Sequence, residues 1–140
     1  MTLTFRYKSV KRPDGTEVKT PSIPLILKWK EQIETTALLD SGADVSAMPE
    51  AIAKILSCEL SKDIKPAYGL GGKVDSVQTN VEAILEKGHE KYNLIIPVKI
   101  ILGRYDFPIL LGRQGFFENF VITIDQLHEK ISLKRVSRKY

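Results

Sequence analysis

Apolar and polar residues alternate with a period of two along much of this chain. Ile23, Leu25, Leu27 and Trp29 occupy every second position, as on a strand with one buried face. Lys30 and Glu31 interrupt, and the segment from Ile33 to Leu39 is expected as the hairpin strand returning toward Asp40. Leu94, Ile96, Val98 and Ile100 repeat the alternation. Phe120, Ile122 and Ile124 repeat it again, with Ile131 and Leu133 as their hairpin partner. Pro13-Asp14-Gly15 is a turn signal between a strand over Phe5 to Lys11 and one over Thr16 to Thr20. Helical signals are short. Pro49 opens a segment reaching Leu56, where proline fits the first turn and alanine favours helix. A second short helix is expected from Arg113 to Phe117 or Asn119.

Composition adds bounds to this β-rich reading. A chain of 140 residues with 43% hydrophobic and 27% charged residues fits one domain with a core and a solvated surface. The roughly 18 consecutive apolar residues of a membrane span are absent. The N-terminus, Met1 to Arg6, lacks the apolar stretch of a secretory signal. Cys58 stands alone, which excludes an intrachain disulfide and fits a cytoplasmic setting. The net charge of +4 gathers at Lys8, Lys11 and Arg12, and at Lys134, Arg135, Arg138 and Lys139. Such patches attract nucleic acid, but no recognition-helix or zinc-finger spacing accompanies them, and solvated chain ends account for them better.

The chemistry concentrates in three segments. Leu38-Leu39-Asp40-Ser41-Gly42-Ala43-Asp44 is an apolar approach to an Asp-Ser-Gly turn. Tyr68-Gly69-Leu70-Gly71-Gly72-Lys73 is a glycine cluster. Ile109-Leu110-Leu111-Gly112-Arg113 is a second apolar run ending in glycine. An aspartate on a tight turn beside buried strands is a candidate catalytic carboxylate. There is one such turn, so chemistry needing two carboxylates needs two chains.

In this order the three segments resemble a retroviral-like (retropepsin-like) aspartic protease, over roughly residues 23–125. The resemblance implies an all-β, closed, mostly antiparallel fold with one lobe per chain and a short helix after Gly112. The N-terminal hairpin over 1–22 and the C-terminal strand and basic tail over 126–140 are departures, still expected to belong to one domain. Exposed edges at Phe5 to Lys11 or Ile131 to Val136 are candidates for pairing across a dimer.

The implied activity is peptide-bond hydrolysis by Asp40 acting with Asp40 of a second copy. Two carboxylates a few ångströms apart share one proton, so one member takes a proton from water while the other donates. Gly42 allows a close turn and offers its N–H to the carboxylate. Ser41 carries a hydroxyl that, by the resemblance, reaches across the two-fold axis. Asp44 pairs in the family with the arginine after the late glycine, here Arg113; otherwise Asp44 is a turn cap and Arg113 a surface residue. Gly69, Leu70, Gly71 and Gly72 correspond to a flap, or else to an ordinary mobile loop, and Tyr68 packs over the flap base or is a plain strand residue. Ala43, Ile109 and Leu110 are expected in the pocket wall or core.

Rival chemistries are weaker. Lys73-Val74-Asp75 does not supply the Lys-Ser or Lys-Thr of a phosphate-binding loop. His89, His128 and Cys58 lack metal-ligand spacing. No Gly-x-Ser-x-Gly elbow surrounds Ser41. No cofactor is implied. The expected partners are a second copy and a polypeptide substrate, with neither membrane nor nucleic acid. The alternative on the same fold is an inactive dimeric peptide-binding or scaffolding module, and after it a nucleic-acid-binding β-domain.

Overall fold

The computed structural model describes residues 2–136, so Arg138 and Lys139 of the expected basic tail lie outside the described residues. Strands β1 (Thr2–Arg6), β2 (Lys8–Lys11), β3 (Glu17–Thr20), β4 (Ser22–Lys28) and β5 (Gln32–Leu39) come first. Then follow β6 (Ser46–Pro49), helix α1 (Glu50–Ile55), β7 (Lys65–Gly69), β8 (Gly72–Lys87), β9 (Glu90–Ile101) and β10 (Ile109–Leu111). A 3-10 turn at Phe117–Asn119 precedes β11 (Phe120–Asp125) and β12 (Lys130–Arg135). No described helix is long and apolar enough to cross a membrane.

The period-two pattern finds its structural counterpart in β4, whose Ile23, Leu25 and Leu27 are buried, and in β9, whose Leu94, Ile96, Val98 and Ile100 are buried. These side chains, with Leu39, Met48, Leu111 and Phe116, form one hydrophobic core. Burial of a side chain of this size contributes about 1.5–3 kcal/mol each. The expected β4–β5 hairpin runs in register from Ser22 opposite Leu38 to Lys28 opposite Gln32. The β11–β12 hairpin likewise pairs Phe120 with Arg135 through Asp125 with Lys130.

The expectation of a closed fold is corrected. The strands form three sheets, and the main one runs β4-β5-β10-β6-β9-β8-β7 without closing into a barrel, its end strands β4 and β7 not paired with each other. The 16-residue β8 shares its outer edge between two partners. Its first residues pair with β7, while Glu82 to Ile84 near its other end meet β4 over three residue pairs. That contact fastens one end of the sheet and leaves β7 as an edge strand. Most ladders are antiparallel, but β10 with β5 and β6 with β9 are parallel.

Three further expectations change. The strand over Phe5 to Lys11 splits at Tyr7, whose side chain is buried and whose N–H donates to the Glu129 carbonyl at 2.9 Å. Strand β1 pairs with β12 instead of continuing into the β2–β3 hairpin. That puts Ile131 to Arg135 in the centre of the sheet β1-β12-β11, so this segment is not a free edge. Among the described residues no α-helix follows Gly112. Gly115 has φ +79° and packs against Pro97 and Ile96, which interrupts helical geometry and leaves only the 3-10 turn. Arg135, expected in a basic patch, lies over the rings of Tyr92 and Phe120, at 5.3 and 5.7 Å from their centroids.

Candidate active site

Two apolar strand ends bring the first and last motifs together. In β5 and β10, Ala37, Leu38 and Leu39 lie beside Ile109, Leu110 and Leu111 in parallel register. Both strands therefore end at the same level, one in Asp40 and the other in Gly112. The Asp40 N–H extends this ladder by donating to the Leu111 carbonyl at 3.0 Å. The chain then turns at once. The Ala43 N–H donates to the Asp40 carbonyl at 3.2 Å, and the Gly42 N–H donates to Asp40 Oδ1 at 3.0 Å. That second bond orients one carboxylate oxygen, and Oδ2 has no hydrogen-bond partner among the described residues.

The late glycine has a steric reason to be there. A Cβ on Gly112 would stand 2.6 Å from the Val45 carbonyl carbon and 2.9 Å from the Ser46 nitrogen. This close approach is used: the Gly112 N–H donates to Ser46 Oγ at 2.9 Å in a fully buried position. Next to it, the Arg113 and Gln114 N–H groups donate to the carbonyls of Ala43 and Asp44, each at 2.9 Å. The Asp40 turn is thereby laced to the segment after β10 by main-chain bonds.

Arg113 adds side-chain ties. Nη1 donates to the Ser41 carbonyl at 2.8 Å, and Nη2 donates to Asp44 Oδ1. Both side chains are at least half exposed, so the ion pair itself contributes at most about 1 kcal/mol. Its value is geometric, since one planar group fixes two points of the turn. Ser41 is exposed beside it.

A cleft of about 400 Å³ opens at Asp40, with Gly42, Ala43, Asp44 and Leu110 on one side and Ala67, Tyr68 and Gly69 on the other. The last group is the base of the β7–β8 hairpin. Gly69 pairs with Gly72, so Leu70 and Gly71 form a two-residue tip. Gly72 carries the positive φ, +107°, that the turn requires, and a Cβ at Gly69, Gly71 or Gly72 would meet nothing within 4 Å. Leu70 is fully exposed and Tyr68 77% exposed. The glycine cluster is therefore a free-standing hairpin tip at the rim of the cleft, and Tyr68 is a rim residue. Ile109 is buried core and does not line this cleft.

Several residues of the site were not singled out by motif. Val74, Lys99, Ile101 and Phe107 line the cleft, and Ser46 holds Gly112 from beneath. Ser46 and Lys99 sit inside strand runs with no local signature, and only the register reveals them. A larger cavity of about 500 Å³ lies on the other side of Lys99, away from Asp40. The cleft at Asp40 is the candidate site because it alone of the two contains the turn carboxylate. Among the described residues no cluster of three His, Cys, Asp or Glu stands ready for a metal. Cys58 is half-buried, and burial pushes its thiol pKa up.

No family model and no curated protein matches the chain. Solved structures do. A retropepsin-like aspartic protease from Rickettsia conorii superimposes with a TM-score of 0.60 at 18% identity, over 95% of this chain and 91% of that one. This chain has the retropepsin-like fold. EIAV protease, in a complex with the inhibitor HBY-793, matches at 25% identity over 68% of this chain and 83% of that one. Its TM-score of 0.47 is too low to bear on this chain. At these identities the retropepsin-like likeness concerns the path of the backbone, and roles for single side chains rest on the local geometry above.

Proposed function

We propose that this chain is an aspartic endopeptidase that acts as a homodimer, with a catalytic pair made of Asp40 from each copy. The observation that carries the proposal is the state of the two carboxylates in the cleft. Asp44 is engaged by Arg113, whereas Asp40 is held by one backbone N–H with its second oxygen uncommitted. One uncommitted carboxylate cannot act as acid and base at the same moment, and in this proposal a second copy supplies the other through an isologous contact at the Asp40 turns. The retropepsin-like fold supports the same reading.

The chemistry follows from the pair. One ionised Asp40 takes a proton from a water held between the two copies, and the water oxygen attacks the scissile carbonyl carbon. The protonated Asp40 donates its proton to the carbonyl oxygen, giving a neutral tetrahedral diol. The diol collapses as the now protonated carboxyl group gives its proton to the leaving nitrogen while the ionised one takes a proton from a diol hydroxyl, which restores the starting pair. The C–N bond breaks, and the products are a carboxylic acid and an amine. Ser41 holds the opposite turn across the two-fold axis. The Gly69 to Gly72 hairpin closes over the substrate and excludes bulk water. Leu110, Ile101, Phe107 and Val74 give the walls an apolar character that favours apolar residues beside the cut.

Asp40→Asn is the direct test. It keeps the side-chain size and the bond from Gly42 while removing the base. Cleavage of a diverse peptide library should fall by at least about 100-fold, the usual contribution of a positioned acid or base, while sedimentation still reports a folded dimer. Cleavage by D40N at the parental rate would overturn the assignment.

A further inference from the structure

We propose that Lys99 forms a remote subsite that selects an acidic side chain in the polypeptide substrate, about four residues from the scissile bond. This rests on the endopeptidase reading above and adds a preference that the apolar walls do not supply.

The register of the main sheet carries the inference. Leu110 of β10 is paired with Ala47 of β6, Ala47 with Lys99 of β9, and Lys99 with Gln78 of β8. Directly paired residues of neighbouring strands project from the same face. The four side chains therefore make one row across the sheet, starting at the wall of the Asp40 cleft. Lys99 borders that cleft and also the neighbouring cavity of about 500 Å³. It is the divide between the two, and a substrate leaving the first passes over it into the second.

The second cavity differs chemically from the first. Asp63, Lys65, Ser76, Gln78 and Asn80 line it, and Pro66 is the one apolar residue of its lining. Its charges are not balanced. Lys65 Nζ stands 3.5 Å from Asp63 Oδ2, and Ser76 Oγ donates to the Lys65 carbonyl at 3.0 Å. Those groups have partners within the protein. Lys99 has no carboxylate within ion-pair distance among the described residues. A half-buried lysine that lines a polar cavity, where the one lining acid, Asp63, is already paired, is complementary to a carboxylate supplied by a ligand.

The spacing follows from strand geometry. The row meets β5 at Leu38, two residues before Asp40, and from there crosses β10 and β6 to reach β9, three strand spacings or roughly 14 Å across the sheet. An extended substrate covers about 3.3 Å per residue, so the selected side chain lies about four residues from the cut. A two-fold dimer repeats the subsite on the other side of the cut.

Matched peptides carrying Glu, Gln or Lys at the positions three to five residues from a common cleavage site test this. The parent should prefer Glu over Lys by roughly two- to fivefold in kcat/KM, the range for a partly exposed ion pair, with the difference in KM. Lys99→Glu should reverse the preference, and Lys99→Met, which keeps the aliphatic stem, should flatten it. Equal rates for all three peptides with the parent, or an unchanged preference in K99E, overturn the subsite and leave the endopeptidase reading intact. If the parent cleaves nothing, fluorescence anisotropy of the same labelled peptides on D40N and on D40N/K99E decides separately. Tighter binding of the Glu peptide to D40N that is lost in D40N/K99E supports the subsite while the enzymatic reading fails. Equal binding of all peptides overturns the subsite as well.

Discussion

Replacing Gly112 with alanine adds one methyl group at the point where the two halves of the site are joined. The backbone of Gly112 is not in the left-handed region, so the cost comes from space. The new Cβ would meet the Val45 carbonyl carbon at 2.6 Å and the Ser46 nitrogen and Val45 oxygen at 2.9 Å. All three are backbone atoms, which cannot swing aside as a side chain does. Reaching ordinary contact at 3.4 Å requires the segments to part by about 0.8 Å. That displacement breaks the buried bond from Gly112 N–H to Ser46 Oγ and strains the bonds from Arg113 and Gln114 to Ala43 and Asp44. Overpacking costs about 1–3 kcal/mol, and a lost buried hydrogen bond adds about 1 kcal/mol. The expected loss of about 2–4 kcal/mol is a large share of the roughly 5–15 kcal/mol that holds a domain together. For a chain of this length it lowers Tm by roughly 10 °C. Thermal unfolding of G112A beside G71A checks it, since a Cβ at Gly71 meets nothing within 4 Å. If the two variants melt within a degree or two of each other, Gly112 is not the pinch point described.

Other outcomes are expected from the same geometry. Gly72→Val places a β-branched residue at φ +107°, so it should destabilise by about 1–3 kcal/mol; Gly71→Val should leave urea unfolding nearly unchanged and slow peptide turnover through the hairpin tip. Glu50 accepts from the Gly103 N–H at 2.9 Å and pairs with Lys54, and these two contacts, in that order, hold its carboxyl below the usual carboxylate range. A depressed folded-state pKa gives stability that is present above the unfolded value and lost as pH falls through the folded one. Tm measured against pH should therefore drop on the acid side, below about pH 4.5, and Glu50→Gln should make that drop shallower while lowering Tm at neutral pH.

The geometry of the candidate site was legible where it is local. Asp40, Gly42 and Gly112 announce themselves because a tight turn and a backbone pinch admit few residue types. The hairpins β4–β5 and β11–β12 were legible because alternation and a short connection fix both partners. What was not legible depends on distant pairings. Nothing near Thr2 to Arg6 indicates that it pairs with Lys130 to Arg135 at the opposite end of the chain. Alternation identifies the buried face of β9, yet it cannot tell that Lys99, on the other face, stands beside Ala47 and Gln78. The expected helix after Gly112 failed because Gly115 adopts φ +79° under Pro97, a contact made across the fold. The expected closure failed where β8 pairs at its two ends with different strands, a division with no signature in a sequence lacking strict alternation there.

The central claim is that catalysis belongs to a pair of Asp40 residues contributed by two copies. Mixing the parent with D40N at constant total chain, after a step that lets subunits exchange, tests it most directly. A site shared across a two-fold dimer forms an active pair only when both copies are parental, so an equal mixture should keep about a quarter of the parental activity. Activity of about half, falling in simple proportion to the parental fraction, is the result for a chain that acts alone, and it would contradict the account.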